Sequence, residues 1–320
     1  MCASPKSSSA DDAAQSRNCD KSGRKRASSV AISVVDQLLT RCTFPPAGTE
    51  VDVAVSGGAD SLVLLVLAVE AGCVVTAHHV DHGLRPGSAA EADLVGDVAA
   101  RFEAGFEAHR VDVESGPNLE ARARTARYAV LPDGVLTGHT ADDQAETVLL
   151  NLLRGAGLDG LAGMAPERRP LRRLRRAETE ALCVSLGLEP FHDPSNDDPA
   201  FRRNRVRHEV VPLLSDVAGR DVVPILARQA DLLRDDAELL DVLAVDVDVA
   251  DLRDAPVALA RRAIRRWLRE AGGPERHPPD AATVARVLAV ARGEAVGCDV
   301  GGGWRVVRSQ NRLRLHPPPG

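Results

Sequence analysis

A run of small, hydroxyl and acidic residues at 56–61 has the composition of a phosphate-binding loop. The run, SGGADS, follows an apolar segment at 51–55 and leads into a helical pattern. Glycine lets the backbone approach an anion closely, and N–H groups at a helix start attract negative charge. Asp60 would stand near the helix start, where it could orient the loop or reach a phosphate-bound Mg²⁺. We predict that these residues contact phosphate: Ser56, Gly57, Gly58, Ala59, Asp60 and Ser61.

The lysine content excludes one common phosphate loop. The lysines of the chain are Lys6, Lys21 and Lys25, all of which precede the run. The G-x-x-x-x-G-K-[ST] loop needs a lysine on the phosphates. Phosphate binding must therefore use backbone amides, hydroxyls, a metal or arginine. The structural alternative is an ordinary strand–turn–helix connection with a polar cap.

A second polar stretch, GHTADDQAET at 138–147, is predicted to run from a strand end into a helix. Thr140 is a suitable N-cap, and the helix dipole favours acidic side chains in the first turns. Asp143 and Glu146 stand three positions apart, which places them on one helix face. Beyond capping, such a pair of carboxylates could hold an ammonium group or a metal on ATP.

Two further stretches are rich in polar side chains. The segment HVDHGLR at 79–85 suggests either a metal site or a polar rim beside a nucleotide. Strand side chains alternate between faces, which favours the rim. Residues 167–207 carry a net charge of +3 in a chain of net charge −6. We predict a functional role for DPSN at 193–196 with RRNRVR at 202–207, whereas the arginines at 168–176 fit a solvated face equally well.

A regular alternation of strands and helices must position these motifs. Strands are predicted at 51–55, 73–80, 106–113 and 134–138, and helices at 60–72, 88–104, 117–130 and 141–154. Four such units in a row predict an α/β fold, a parallel twisted sheet with helices on both faces. Ligands of such sheets bind beyond the carboxyl ends of the strands.

The flanking segments have a different character. Further helices are predicted at 30–39, 177–187 and 202–214, and a closing β-hairpin at 301–315 with its turn at 309–311. We expect a disordered tail at 1–27, a catalytic domain at 28–214 and a smaller, mainly helical domain at 215–320 that ends in the hairpin.

Composition narrows the class of protein. No apolar run approaches the ~18 residues of a membrane span, so we expect no membrane partner. The six cysteines include no C-x-x-C pair, which disfavours a zinc knuckle or an iron–sulfur site. No hydrophobic signal-peptide core precedes residue 28, and a cytoplasmic location is expected.

Together the motifs resemble those of the tRNA(Ile)-lysidine synthase family. SGGADS is similar to the PP-loop of the N-type ATP pyrophosphatases, which have a Rossmann-like fold. The likeness extends to HVDHGLR, GHTADDQAET, the Arg169-Pro170-Leu171 segment and DPSN with RNRVR, and it is strongest over residues 50–215. Thr140 stands where the family commonly has a second histidine.

The resemblance implies an ATP-dependent ligase acting on the wobble cytidine of an isoleucine tRNA with a CAU anticodon. ATP would adenylate the oxygen on carbon 2 of the base and release pyrophosphate. The ε-amine of free lysine would then displace AMP and give lysidine. The implied cofactors are ATP and Mg²⁺, and the sequence leaves the oligomeric state, a homodimer included, open.

The resemblance also implies roles for particular residues. Asp143 and Glu146 would bind the lysine ammonium, which has a pKa near ~10.4 and arrives protonated. One of them, or His139, would accept its proton. Arg205, with Arg203, would hold the α-phosphate or the adenylated base. Asp60 completes the predicted catalytic set.

The tRNA is expected along arginine-rich surfaces of the second half. The candidates are Arg202–Arg207, a helix with Arg261, Arg262, Arg265, Arg266 and Arg269, and the hairpin with Arg305, Arg308, Arg312 and Arg314. The rival functions are a tRNA 2-thiolation enzyme, an amidotransferase-type synthetase and a non-catalytic adenine-nucleotide sensor. Pyrophosphate release that requires both tRNA and lysine would distinguish the ligase from a sensor.

Overall fold

The computed structural model describes residues 29–81, 88–111, 119–244, 246, 248–271 and 279–318. The predicted tail at 1–27 and positions 82–85 of the HVDHGLR motif lie outside the described residues. Within those ranges, no helix combines the length and apolar character needed to span a membrane.

Strands and helices alternate through the first half of the chain, as predicted. The strands are β1 (Glu50–Ala54), β2 (Val74–Asp81), β3 (Gly105–Arg110), β4 (Leu136–Thr137), β5 (Gly297–Asp299), β6 (Arg305–Ser309) and β7 (Arg312–His316). The helices are α1 (Ser29–Leu39), α2 (Ala59–Glu70), α3 (Ser88–Arg101), α4 (Leu119–Val130), α5 (Ala141–Leu153), α6 (Leu158–Leu161), α7 (Arg176–Ser185), α8 (Arg202–Arg205), α9 (Val211–Ala218), α10 (Val223–Leu243), α11 (Val249–Asp254), α12 (Val257–Glu270) and α13 (Ala281–Arg292).

The chain separates into two compact units. One comprises the chain up to Gly155 together with Gly163–Arg228, and the other comprises Ala156–Ala162 and the chain from Gln229 onward. These units are defined by contacts within the structure, and the domain limits 28–214 and 215–320 stay a prediction.

The first unit is built on a parallel sheet with the strand order β3–β2–β1–β4. Strand β1 lies inside the sheet, where Val53 is in register with Ala77 of β2 and Leu136 of β4. The predicted α/β class with a parallel sheet is confirmed. Strand β4 is shorter than the predicted 134–138.

Helix α2 is apolar on every side from Leu62 to Ala68, and the fold buries this stretch. Residues Leu62 to Ala68 are all buried, and the helix packs on β1, β2 and α7. A helix that is apolar all round is stable only when each face is covered. This packing fixes the start of α2, and with it the run at 56–61, at the carboxyl end of β1.

The second unit contains α11–α13 and an antiparallel sheet in the order β5–β6–β7. The predicted closing hairpin is confirmed as β6 and β7. Its turn residues Gln310 and Asn311 have φ values of 50° and 60°, the positive angles that a two-residue hairpin turn requires. Strand β5 adds a third strand, which the sequence pattern did not predict.

Candidate active site

The run at 56–61 forms a tight loop between β1 and α2. Gly57 has a φ of +85°, which favours glycine, and Gly58 is the N-cap of α2. Glycine offers no side-chain oxygen to cap the first turn of α2, so no side-chain cap competes with an anionic ligand for the N–H groups at the helix start. The loop therefore has the backbone geometry of an anion site.

The Ser61 hydroxyl holds the loop closed. It accepts the Ser56 N–H at 3.1 Å and donates to the Gly58 carbonyl at 2.8 Å. The two serine hydroxyl oxygens lie 3.3 Å apart. Ser61 thus shapes the loop in addition to any contact with a phosphate.

Gly138, at the end of β4, lies directly against the start of α2. A Cβ at this position would lie 2.7 Å from the carbonyl oxygen of Asp60, a separation that side chains do not tolerate. The absence of a side chain therefore lets the GHTADDQAET segment approach the loop at 56–61.

Asp60 is a mostly buried carboxylate at the mouth of the loop. Thr179 of α7 donates its hydroxyl to Oδ1, and Arg176 approaches Oδ2 with its Nε at 3.5 Å. Burial raises the pKa of Asp60 to about 6, because it outweighs the hydrogen bonds from Thr179 and Arg176 that lower it. The negative charge of Asp143 raises it further.

Asp143 and Glu146 project from α5 into a set of three arginines. Asp143 Oδ1 accepts from Arg176 Nη2 at 2.9 Å and from Arg203 Nη2 at 3.0 Å. Glu146 accepts from Arg203 Nε at 2.6 Å and from Arg207 Nε at 2.7 Å. Arg176 Nη1 also donates to Glu146, at 3.2 Å.

We call these six residues the carboxylate–arginine cluster: Asp60, Asp143, Glu146, Arg176, Arg203 and Arg207. Its formal charges balance, which permits the near-complete burial of Glu146. Burial alone would raise the pKa of Asp143, but the charges of Arg176 and Arg203 together hold it below its usual range. The three arginines therefore offset the formal charges of the three carboxylates.

A polar turn holds the arginine-bearing helix in place. In the DPSN segment, the Asp193 carboxylate accepts the Ser195 N–H at 2.9 Å and caps a short 3₁₀ helix at Pro194–Asp197. Asn204 is buried and donates to the carbonyls of Ser195 and Asp198 at 2.7 and 2.9 Å. The asparagine between the arginines thus positions their helix.

The helix at 202–210 separates its arginines onto different faces. After α8, the segment Val206–Val210 is one turn of π-helix. Arg203 and Arg207 face α5, whereas Arg205 is 60% exposed and pairs with Glu209 at 2.8 Å. Arg205, predicted to act with Arg203, therefore lies outside the carboxylate–arginine cluster.

His139 lies between β4 and α5. Its Nδ1 is 2.8 Å from the Thr137 hydroxyl. Burial lowers the pKa of His139 to about 4, and the charges of Arg169, Arg203 and Arg124 lower it too, against the opposing effect of Asp143. His139 is consequently neutral at pH 7.

The loop, four residues of the carboxylate–arginine cluster and His139 surround one cavity of about 740 Å³ at the carboxyl end of the sheet, and Glu146 and Arg203 lie behind its lining. Five of the six loop residues line it (Ser56, Gly58, Ala59, Asp60 and Ser61), together with His139, Asp143, Arg176 and Arg207. The fold thus brings the loop at 56–61 and the 138–147 segment together, as expected for the open edge of a parallel sheet.

Three residues of this site were not singled out from the sequence. Arg176 contacts three carboxylates, although the sequence was equally consistent with a solvated face for the arginines at 168–176. Arg207 and Thr179 were given no individual role. The net charge of +3 over 167–207 was the available indication. It could not show which arginines turn inward.

The fold and the loop place the chain among the PP-loop proteins. A family model described as the PP-loop domain matches residues 31–214, and one described as the TilS substrate binding domain matches residues 248–314.

Curated relatives define the family more narrowly. The chain is 45% identical over 301 residues to tRNA(Ile)-lysidine synthase of Nocardia farcinica, covering 85% of this chain and 92% of the relative. It is 43% identical over 286 residues to tRNA(Ile)-lysidine synthase of Rhodococcus erythropolis, covering 82% and 88%. The chain belongs to the tRNA(Ile)-lysidine synthase family.

A solved structure supports the fold alone. The U34-tRNA thiolase NcsA from Methanococcus maripaludis, with its [4Fe-4S] cluster, aligns with a TM-score of 0.50 and 17% identity, covering 67% of this chain and 83% of that one. The present sequence has no C-x-x-C pair, and Cys42, Cys73, Cys183 and Cys298 are free cysteines. The shared fold therefore gives no support to thiolation.

Proposed function

We propose that this chain is an ATP-dependent ligase that converts the wobble cytidine of tRNA(Ile) to lysidine. The carrying observation is one cavity that joins the loop at 56–61 to the carboxylate–arginine cluster, in a member of this family. The reaction uses ATP and a cationic amine. The loop is suited to bind pyrophosphate, and the arginines and carboxylates of the cluster are suited to bind phosphate and ammonium groups respectively.

In the first step, the oxygen on carbon 2 of the cytosine attacks the α-phosphorus of ATP. The bond between the α-phosphorus and the bridging oxygen breaks, and pyrophosphate leaves. We assign the loop N–H groups and the start of α2 to the departing pyrophosphate. Arg203 and Arg176 are suited to the α-phosphate because a guanidinium can bind two phosphate oxygens at once. Arg205 is exposed and lies outside the cluster, and we propose that it contacts the tRNA.

The donor set near the loop fits Mg²⁺, which prefers oxygen ligands. Asp60 is the cluster carboxylate at the loop, and its 3.5 Å approach to Arg176 is longer than the other arginine contacts described above. We propose that Asp60 holds Mg²⁺ on the phosphates. The ion would neutralise the charge that develops on the leaving pyrophosphate.

In the second step, the ε-amine of free lysine attacks carbon 2, and the bond from that carbon to the AMP oxygen breaks. Lysine must first be bound as a cation and then lose a proton. We propose that Asp143 and Glu146 bind the ammonium once phosphate draws the arginines away from them. His139 is neutral at pH 7 and is the second candidate for accepting the proton.

A purified-protein assay tests the proposal. ATP, labelled lysine and unmodified tRNA(Ile) with a CAU anticodon are expected to give labelled tRNA, AMP and pyrophosphate in equal amounts. Omission of tRNA should abolish pyrophosphate release. Nucleotide binding with no pyrophosphate release would support the sensor instead, and sulfur incorporation would support the thiolase. The homodimer and the cytoplasmic location remain predictions.

A further inference from the structure

A second group of polar side chains lies on β2 and β3 and takes no part in the chemistry proposed above. The register of these parallel strands pairs His78 with Glu107 and Val80 with His109. Alternation along each strand places His78, Glu107 and His109 on one face of the sheet. Asp52, on β1, stands on the same face beside His78.

The three side chains converge on a small volume. His78 Nδ1 lies 3.0 Å from His109 Nε2 and 3.6 Å from Glu107 Oε2, and His109 Nε2 lies 3.9 Å from the same oxygen. Zinc bonds of about 2.0–2.1 Å at tetrahedral angles require ligand atoms separated by about 3.3 Å. The observed separations lie on both sides of that value, so small side-chain rotations suffice.

Asp52 fixes the tautomer that such a site needs. Its Oδ1 lies 2.7 Å from His78 Nε2 and accepts that N–H, which leaves the lone pair of Nδ1 directed at His109. Metal-binding histidines commonly donate their second N–H to a carboxylate in this way. The hydrogen bond between His78 Nδ1 and His109 Nε2 requires a hydrogen on the His109 nitrogen. In the other tautomer of His109 the hydrogen is on Nδ1, and the Nε2 lone pair is then free to bind a metal ion between the two rings.

We propose that His78, Glu107 and His109 bind one divalent transition-metal ion, with Zn²⁺ as the representative ion. Two imidazoles and a carboxylate favour zinc over magnesium, which prefers oxygen ligands. Glu107 is 60% exposed, so an ion from solvent has an entry path. Because three protein ligands leave a fourth position for water, the site is accessible rather than closed. His78 also lines the cavity of about 740 Å³, but none of the three ligands has a role in the ligase steps described above.

Metal binding to the full-length protein tests the site. After chelator treatment, the wild-type chain is titrated with Zn²⁺ by calorimetry, and with Co²⁺ while its visible absorption is followed. We expect one equivalent of Zn²⁺ and the absorption of four-coordinate Co²⁺ with nitrogen and oxygen ligands. No binding by the wild type overturns the proposal.

Substitutions locate the ion. His109→Gln and Glu107→Gln should each weaken Zn²⁺ binding at least tenfold, and Asp52→Asn should weaken it by about 10–100-fold while the ligand set is kept. His316→Gln, an exposed histidine of the hairpin, is the matched control and should bind like wild type. Unchanged Zn²⁺ affinity in both His109→Gln and Glu107→Gln, with native circular dichroism, refutes the assignment.

Discussion

At the scale of single residues, Asp60 is a group that is suited to function although its burial as a carboxylate lowers the stability of the folded chain. Its pKa of about 6 means that burial disfavours the ionised form in the folded chain. Thr179 and Arg176 offset only part of that penalty. A carboxylate held in this way is poised to gain a cation, which is the role proposed for it.

The first prediction concerns Asp60→Asn. The raised pKa makes the folded chain bind a proton more tightly than the unfolded chain, so wild-type stability falls as the pH rises from about 4 to about 6. Above that window the full penalty is present. A shift from the ordinary aspartate pKa of 3.8 to about 6 corresponds to about 3 kcal/mol, an upper limit for the gain in stability of Asp60→Asn at pH 7.5.

Urea unfolding of both proteins at pH 4.5 and pH 7.5 measures this effect. The stability advantage of Asp60→Asn should shrink at the lower pH, while pyrophosphate release is lost at both. A variant that is less stable than wild type at pH 7.5 would contradict the burial penalty. Full lysidine formation by the variant would remove Asp60 from the reaction.

The second prediction compares Arg176, which lies in the carboxylate–arginine cluster, with Arg205, which is exposed. Arg176→Met leaves Asp60, Asp143 and Glu146 with less compensating charge, and removal of one partner from buried ion pairs costs about 3–5 kcal/mol. Arg205→Met removes only an exposed pair with Glu209 and should leave the unfolding free energy unchanged. Equal losses in the two variants would show that the cluster is not a stabilising unit.

At the scale of elements, the site depends on where strands end and helices begin. The loop between β1 and α2 needs Gly57 in a positive-φ conformation, and α5, α7 and α8 each contribute charged side chains to one cluster. The helices are separate in sequence, and their packing sets the distances between opposite charges.

The third prediction tests the loop backbone with a matched glycine. Gly57 and Gly48 have φ values of +85° and +84°, so alanine at either position strains the backbone by about 1–2 kcal/mol. Only Gly57→Ala alters the anion-binding loop. We expect similar losses of stability but a loss of ATP affinity in Gly57→Ala alone, measured by calorimetry. Equal ATP affinity in the two variants would exclude a loop contact with the nucleotide.

The fourth prediction is that ATP prepares the lysine site. Without nucleotide, the arginines neutralise Asp143 and Glu146, so little attraction remains for an ammonium group. Phosphate groups compete for those arginines. A non-hydrolysable ATP analogue should therefore raise lysine affinity by about 5–150-fold, and lysine should raise analogue affinity by the same factor.

Equilibrium dialysis with labelled lysine measures this coupling. Glu146→Gln should remove the gain, whereas Glu189→Gln, an exposed acidic residue outside the cluster, should retain it. Lysine affinity that is identical with and without the analogue would mean that the two sites are not coupled.

At the scale of the whole molecule, arginine is divided between the interior and the surface. Within the second unit, Arg262 is buried and donates to Asp159 and to Asp241. Arg261 and Arg269 on the same helix, α12, are exposed. Only the exposed arginines are free to meet tRNA phosphates, although all three were candidates by sequence.

The fifth prediction uses this division. Arg261→Ala and Arg269→Ala should each reduce the slope of log affinity for tRNA against log salt by about 0.7–0.9, the effect of one lost phosphate contact. Arg262→Ala should instead lower the melting temperature, because two carboxylates lose their partner. Filter binding at several salt concentrations measures the slope, and an unchanged slope in both surface variants would place the tRNA elsewhere.

The sequence by itself determined the order of the elements and the identity of the loop. The apolar pattern of α2, the glycines at 57 and 58 and the Gln310–Asn311 turn act through near neighbours, and local physics is sufficient to predict them. Asp60, Asp143 and Glu146 were predicted as site residues in the same way, because their motifs follow predicted strands.

Only the tertiary structure decided which charged groups meet. Arg176 reaches Asp60 from 116 positions away, and packing against α5 turns Arg203 and Arg207 inward while Arg205 stays exposed. The metal-site proposal depends likewise on the register of β2 against β3, which selects His78 rather than the HVDHGLR histidines. Local periodicity specifies the face of each element, but pairing between faces is set by packing, and packing involves the whole chain.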